Sequence, residues 1–315
     1  MVSRPESSES KALGPARWRL SRVTGEQFLL AAQVLALGAM TVIVVTKYWQ
    51  DHPVIGLALL AVAAGIWLPE ARRARMRRWW FGYVAGIFAY TLLRSYADET
   101  AIPTRTDYVI NLDQFFFGTN PVVWLQSRFF RPGDVSALDL FTVQVHWSFF
   151  IAPHAAAVMI FLWRRELFPR YATVVVGTMY AGLLLFFLLP TTPPWLAANL
   201  GQLEAFRVMD FVGNRVSPGT YQDFYASLGE PNSVAAMPSI HMGVTFAMYL
   251  WSRDHARRWA WPLLAYTALM GFSLVYLAEH YVADLVVGMV CALLCHLASR
   301  RLAQRGAEAR VTVRS

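Results

Sequence analysis

Two imidazoles and a carboxylate stand out against an apolar background: His241 in Met237-Pro-Ser-Ile-His241, and His280 with Asp284 in Glu279-His280-Tyr-Val-Ala-Asp284. An imidazole held by a carboxylate through one ring nitrogen keeps the other nitrogen available to attack an electrophile such as phosphorus. The resulting phosphohistidine divides a difficult transfer into two steps. A second imidazole can protonate the leaving oxygen and then activate the incoming nucleophile. His280 and Asp284 are four positions apart, which on a helix places one above the other. Pro238 or Ser239 before His241 suits a helix start, where free backbone N–H groups face an anion, and Ser239 is therefore a candidate phosphate-binding residue. Arginines would hold the remaining phosphoryl oxygens. This chemistry needs no metal and no cofactor, and the sequence offers no metal-ligand cluster.

Between His241 and His280 lie an apolar stretch, a short basic turn and a second apolar stretch. About 20 helical residues cross a bilayer core, so the chain leaves one membrane face after His241 and returns to it before His280. Apolar residues make up 56% of the 315-residue chain and charged residues 15%, which sets it apart from soluble domains. The expected fold is all-α: a polytopic membrane bundle of eight spans near residues 27–46, 54–69, 79–97, 142–163, 172–190, 236–252, 260–278 and 281–299. Residues 1–25 read as a disordered tail, 26–300 as one membrane domain with its catalytic core at 79–300, and 301–315 as a basic tail.

The net charge of +8 reports topology. Most of the 28 basic residues fall in the N-terminal tail, in the turns after the second, fourth and sixth spans (Arg72 to Arg78; Arg164, Arg165, Arg170; Arg253, Arg257, Arg258) and in the C-terminal tail. An even number of spans puts all of these on one side, which the positive-inside rule makes cytoplasmic. That excludes nucleic acid as the partner. It also places both termini inside a cell membrane, and the histidines outside with two long connections, 98–141 and 191–235. In the first connection, Val109 to Phe130 is expected to form a short helix lying in the interface, aromatic face down, because Asp113 and Asn120 interrupt it as a span. In the second, Pro190-Thr-Thr-Pro-Pro-Trp195 ends a helix and stiffens its exit.

These residues carry a resemblance. Pro238-Ser-Ile-His241 resembles the Pro-Ser-Gly-His motif of the type 2 phosphatidic acid phosphatase superfamily, and His280-Tyr-Val-Ala-Asp284 resembles its His-x-x-x-Asp motif. Pro190-Thr-Thr-Pro-Pro-Trp195 and Asp113-Gln-Phe-Phe-Phe-Gly118 are similar to segments of the branch that contains inositol phosphorylceramide synthases. The resemblance spans roughly residues 79 to 300 and implies His280 as nucleophile, Asp284 as its orienting partner and His241 as general acid and base. Two departures stand against it. The superfamily's arginine six positions before the nucleophile is Leu274 here, after a retained Ser273, and its lysine with a downstream Arg-Pro is missing before the sixth span. Phosphate binding is therefore expected from elsewhere: first Arg94, a charge near the outer end of the third span, then Arg207 and Arg215, with Arg128 and Arg131 meeting lipid headgroups.

The expected function is phospho-headgroup transfer, such as inositol phosphate, between lipids at the extracytoplasmic face. The lipid substrate carries a phosphate headgroup. The alternative within the class is a phosphatidate or polyprenyl (pyro)phosphate phosphatase. The alternative of another class is a transporter or non-catalytic lipid-binding protein, against which the absence of inverted repeats of broken helices counts. His146 and His154, eight apart on the fourth span and about 800° around it, are expected to face the same way as a packed polar pair. Glu279 caps a helix or tunes acidity beside His280. Cys291 and Cys295 read as buried membrane thiols, and His52, His255 and His296 have no evident partner.

Overall fold

The computed structural model describes residues 38, 74–94, 97, 102–216, 219 and 235–312. The spans expected at 27–46 and 54–69, and His52, lie outside the described residues. Eleven α-helices are named here among those described: α1 (Ala74–Arg94), α2 (Asp107–Phe117), α3 (Pro121–Phe129), α4 (Ala137–Ser148), α5 (Ala152–Trp163), α6 (Phe168–Leu188), α7 (Pro194–Asn199), α8 (Val208–Val216), α9 (Ile240–His255), α10 (Ala260–Tyr276) and α11 (Val282–Thr312). No strand occurs among the described residues; Arg105, Thr191 and Ala235 meet in two isolated bridges.

Among the described residues, three helical stretches are long and apolar enough to cross a membrane: Phe168–Leu188, Arg257–Tyr276 and Val282–Gln304. The pair α4 and α5 makes a fourth when counted as one span bent by 45°. About half of each straight span is buried in protein, and Leu184, Leu269, Val290 and Leu294 face outward, as a lipid solvent permits. The chain is a helical, multi-pass membrane protein.

Lipid tails are as apolar as leucine, so helices here associate through close packing and hydrogen bonds. α9 sits in the middle, against α6, α10 and α11. Glycines make that approach possible. A Cβ on Gly288 of α11 would overlap the carbonyl oxygen of Ser239, and one on Gly243 of α9 would stand 2.9 Å from the Gly288 oxygen. A Cβ on Gly182 of α6 would overlap Ile240. Away from this seam, the helices are joined by an aromatic cluster, with Trp80, Tyr83, Phe161, Phe168 and Tyr171 all buried.

The segment expected as one interfacial helix is two. Gly118, in the left-handed region at φ 71°, ends α2, and Asn120 begins α3 by accepting the Val122 N–H at 3.0 Å. Neither helix spans, and Phe115, Phe116 and Phe117 are exposed. The fourth span also departs from the expectation. It breaks between Ser148 and Ala152, so His146 and His154 do not share a face: His154 Nδ1 pairs with the Tyr83 hydroxyl at 2.8 Å, whereas His146 turns toward His241. The 800° count assumed an unbroken helix.

Candidate functional site

Ser239 is the N-cap of α9, its hydroxyl accepting the Met242 N–H at 3.3 Å, and it is fully buried. Its own N–H donates to the Asp284 carbonyl at 3.0 Å. That bond registers the start of α9 directly on the first turn of α11. The His241 and His280 rings come to 5.7 Å between centroids at an interplanar angle of 60°.

His280 does not lie on a helix with Asp284, as its spacing suggested, but on the turn before α11. α10 ends at Tyr276, and Ala278 takes the left-handed conformation at φ 62°, where a Cβ is disfavoured. The Leu274 carbonyl then accepts both Glu279 N–H (3.0 Å) and His280 N–H (3.2 Å). Asp284, fully buried, reaches back: its Oδ2 lies 3.3 Å from His280 Nδ1 and accepts the Tyr281 N–H at 2.9 Å. A carboxylate acceptor makes Nδ1 the protonated nitrogen and leaves Nε2 with its lone pair free.

The long connections are tied to this turn at four points. Asp113 of α2, buried, accepts the N–H groups of Val282 (2.9 Å) and Ala283 (3.0 Å), capping α11 from a distant segment. Burial pushes the Asp113 carboxyl above its ordinary range, and these two donors oppose that rise. Gln126 of α3 donates to the carbonyls of Phe206 and Tyr276, each at 2.8 Å, and accepts the Phe206 N–H at 2.8 Å. The Trp195 N–H donates to the Ala278 carbonyl at 2.9 Å. Arg207 grips Glu279, with Nε to Oε1 at 2.9 Å, meets Asp210 at 3.2 Å, and lies over the Trp195 ring at 4.3 Å. Burial would raise the Glu279 carboxyl, but the Arg207 guanidinium wins and holds it below the usual range.

His241 is enclosed by His146 and Phe149, with ring centroids at 4.7 and 4.3 Å. His146 is a site residue that sequence reasoning set aside; its signal was an ionisable group inside an apolar span. The sequence shows Asp113 as an interruption and as the start of a segment similar to the inositol phosphorylceramide synthase branch, and it carries no signal for its capping role or for Gln126. Of the arginines, Arg94 ends α1, half-buried and near enough to His241 for their charges to interact. Arg207 reaches the residue next to His280, through its ion pair with Glu279. Arg215 is not brought to the site: it is exposed, donates to the Gly133 carbonyl and lies 4.3 Å over Phe211.

A carboxylate-braced imidazole facing a second imidazole, among membrane helices, is an arrangement suited to taking up and passing on a phosphoryl group. The family profile described as the PAP2 superfamily matches residues 117–298, more than half of the chain, and the chain belongs to that superfamily. The chain is also similar to a phosphoinositol dihydroceramide synthase of Bacteroides thetaiotaomicron, 22% identical over 218 residues, which cover 65% of this chain and 70% of that one. No solved structure matches it.

Proposed function

We propose that this protein transfers a phospho-headgroup, such as inositol phosphate, between lipids through a phosphohistidine on His280. The reading is carried by one observation: the His280 ring, braced at Nδ1 by Asp284, stands 5.7 Å from the His241 ring. His280 Nε2 attacks phosphorus, a P–N bond forms, and the P–O bond to the donor lipid breaks as His241 supplies a proton to the leaving oxygen. His241 then takes the proton of an acceptor hydroxyl, whose oxygen attacks phosphorus and releases the imidazole. Arg207 and Arg94 are the cations assigned to the phosphoryl oxygens, with Arg207 substituting for the arginine that Leu274 replaces. Ser239 contributes by seating His241 as the cap of α9. Arg215 has no part at the phosphate in this scheme.

The name of the Bacteroides relative, a phosphoinositol dihydroceramide synthase, supports an inositol phosphate headgroup and a dihydroceramide acceptor. The many contacts of both connections with the 276–284 turn favour transfer over hydrolysis, because a transferase must keep water from the phosphohistidine. The topology that fits has eight spans in the cell membrane, both termini cytoplasmic, and the histidines at the extracytoplasmic face.

The test is turnover by purified protein in detergent on phosphorus-labelled phospholipids and polyprenyl phosphates, with and without alcohol acceptors. A new labelled lipid formed only with an acceptor, and abolished in His280→Ala, is expected. His280-dependent release of free phosphate would make the protein a phosphatase. No turnover with lipid still bound would leave it a binding or transport protein.

A further inference from the structure

A second cluster of ionisable side chains lies at the opposite end of the bundle. Asp254 and His255 close α9, about 20 Å from His241 at its start. They line a cavity of about 530 Å³ with Arg170 at the beginning of α6 and His296 and Arg300 far along α11. Sequence reasoning found no partner for His255 or His296, and the fold supplies one for each. His296 Nε2 lies 3.1 Å from Asp254 Oδ2, and His255 Nε2 lies 3.0 Å from Arg170 Nη1.

The charges do not balance. Asp254 is shared among His296, Arg253 and Arg300, the last two at 3.6 Å each. Arg170 donates to an imidazole whose Nδ1 is 3.0 Å from the Trp251 carbonyl. That carbonyl can only accept, so His255 carries its proton on Nδ1 and offers Arg170 a neutral nitrogen. Among the described residues no carboxylate pairs with Arg170. Trp251, stacked on His255 at 5.1 Å, fixes the imidazole beneath the guanidinium. The cavity thus presents excess positive charge in forked donor geometry, suited to the oxygens of a phosphate.

The same end carries Trp163, Trp259 and Trp261, exposed by 73%, 54% and 78%. Exposed tryptophans at the ends of membrane helices sit at headgroup level, so the cavity opens where lipid phosphates lie. We propose that this cavity is a second anion site, which binds the phosphate of a lipid headgroup in the leaflet opposite the histidines. The proposal does not rest on the catalytic reading of His280.

The test places a reporter thiol at the cavity wall. The full-length Cys291→Ala, Cys295→Ala, Ala303→Cys protein in detergent is labelled with a hydrophilic maleimide, with increasing dioctanoyl phosphatidylglycerol, inorganic phosphate or dioctanoylglycerol. Phosphatidylglycerol is expected to slow labelling, and uncharged dioctanoylglycerol is not. Arg170→Gln with Arg300→Gln should raise the half-protecting concentration by about tenfold for each arginine. Arg170→Lys with Arg300→Lys keeps the charges and should retain much of the protection, which separates lost binding from lost folding. Equal protection by inorganic phosphate would support the anion site with a soluble phosphate as its ligand. Equal protection by dioctanoylglycerol, or protection unchanged by the glutamine substitutions, would overturn the proposal.

Discussion

Gly288→Ala isolates the contact that brings the two histidine motifs together. The added Cβ would overlap the Ser239 carbonyl oxygen by about 1 Å relative to the roughly 3.3 Å at which a carbon and an oxygen touch. Backbone is the obstacle, so no rotamer relieves it and α9 must move away from α11. Ser239 also holds the Asp284 carbonyl and caps the helix that carries His241, so the displacement passes to the imidazole pair. A misplacement of about 1 Å between reacting groups costs about a hundredfold in rate, and overpacking of this kind costs about 1–3 kcal/mol of stability. The assay is single-turnover transfer from labelled lipid, with Gly82→Ala as the control, since a Cβ at Gly82 meets nothing within 4 Å. Turnover by Gly288→Ala within about twofold of wild type would refute the reasoning that this seam sets the histidine geometry.

Asp113→Ala strips two N–H groups at the start of α11 of their acceptor and is expected to cost about 1–2 kcal/mol, with faster amide exchange at Val282 and Ala283 as the readout. Arg207→Gln should lower kcat/KM by about 10–100-fold, the value of a charge-assisted contact to phosphate, measured in steady-state transfer. The Arg207–Glu279 pair also predicts an acid limb. The folded Glu279 carboxyl is held below its ordinary 4.5, so the stability it contributes is present above that value and lost as pH falls through the lowered one. The difference in detergent unfolding between wild type and Glu279→Gln should therefore hold steady above pH 4.5 and close below it. Asp284→Asn should slow transfer without preventing lipid binding, because the amide can present the wrong group to His280 Nδ1.

That His241, His280 and Asp284 come together was legible in the sequence, because ionisable groups are conspicuous among apolar residues and because helix lengths in a bilayer are constrained. The same constraint made α6, α10 and α11 readable, and the prolines after Leu189 marked the end of α6. Where an unbroken helix was assumed, the reading failed: the bend after Ser148 parts His146 from His154, and the turn at Ala278 places His280 ahead of its helix.

The tertiary structure alone decided what braces the site. Asp113 caps a helix 170 residues away, Gln126 bonds a carbonyl 150 residues away, and Arg207 grips a glutamate 72 residues away. No periodicity links such pairs, because loop residues take their partners from the position of the helices they cross. The sequence by itself determined which ionisable groups stand in the apolar background and that the helices return them to one end of the bundle. The packing of glycines at the α9–α11 seam, and of both long connections over the 276–284 turn, decided that the two imidazoles come within 5.7 Å of one another and which cations stand beside them.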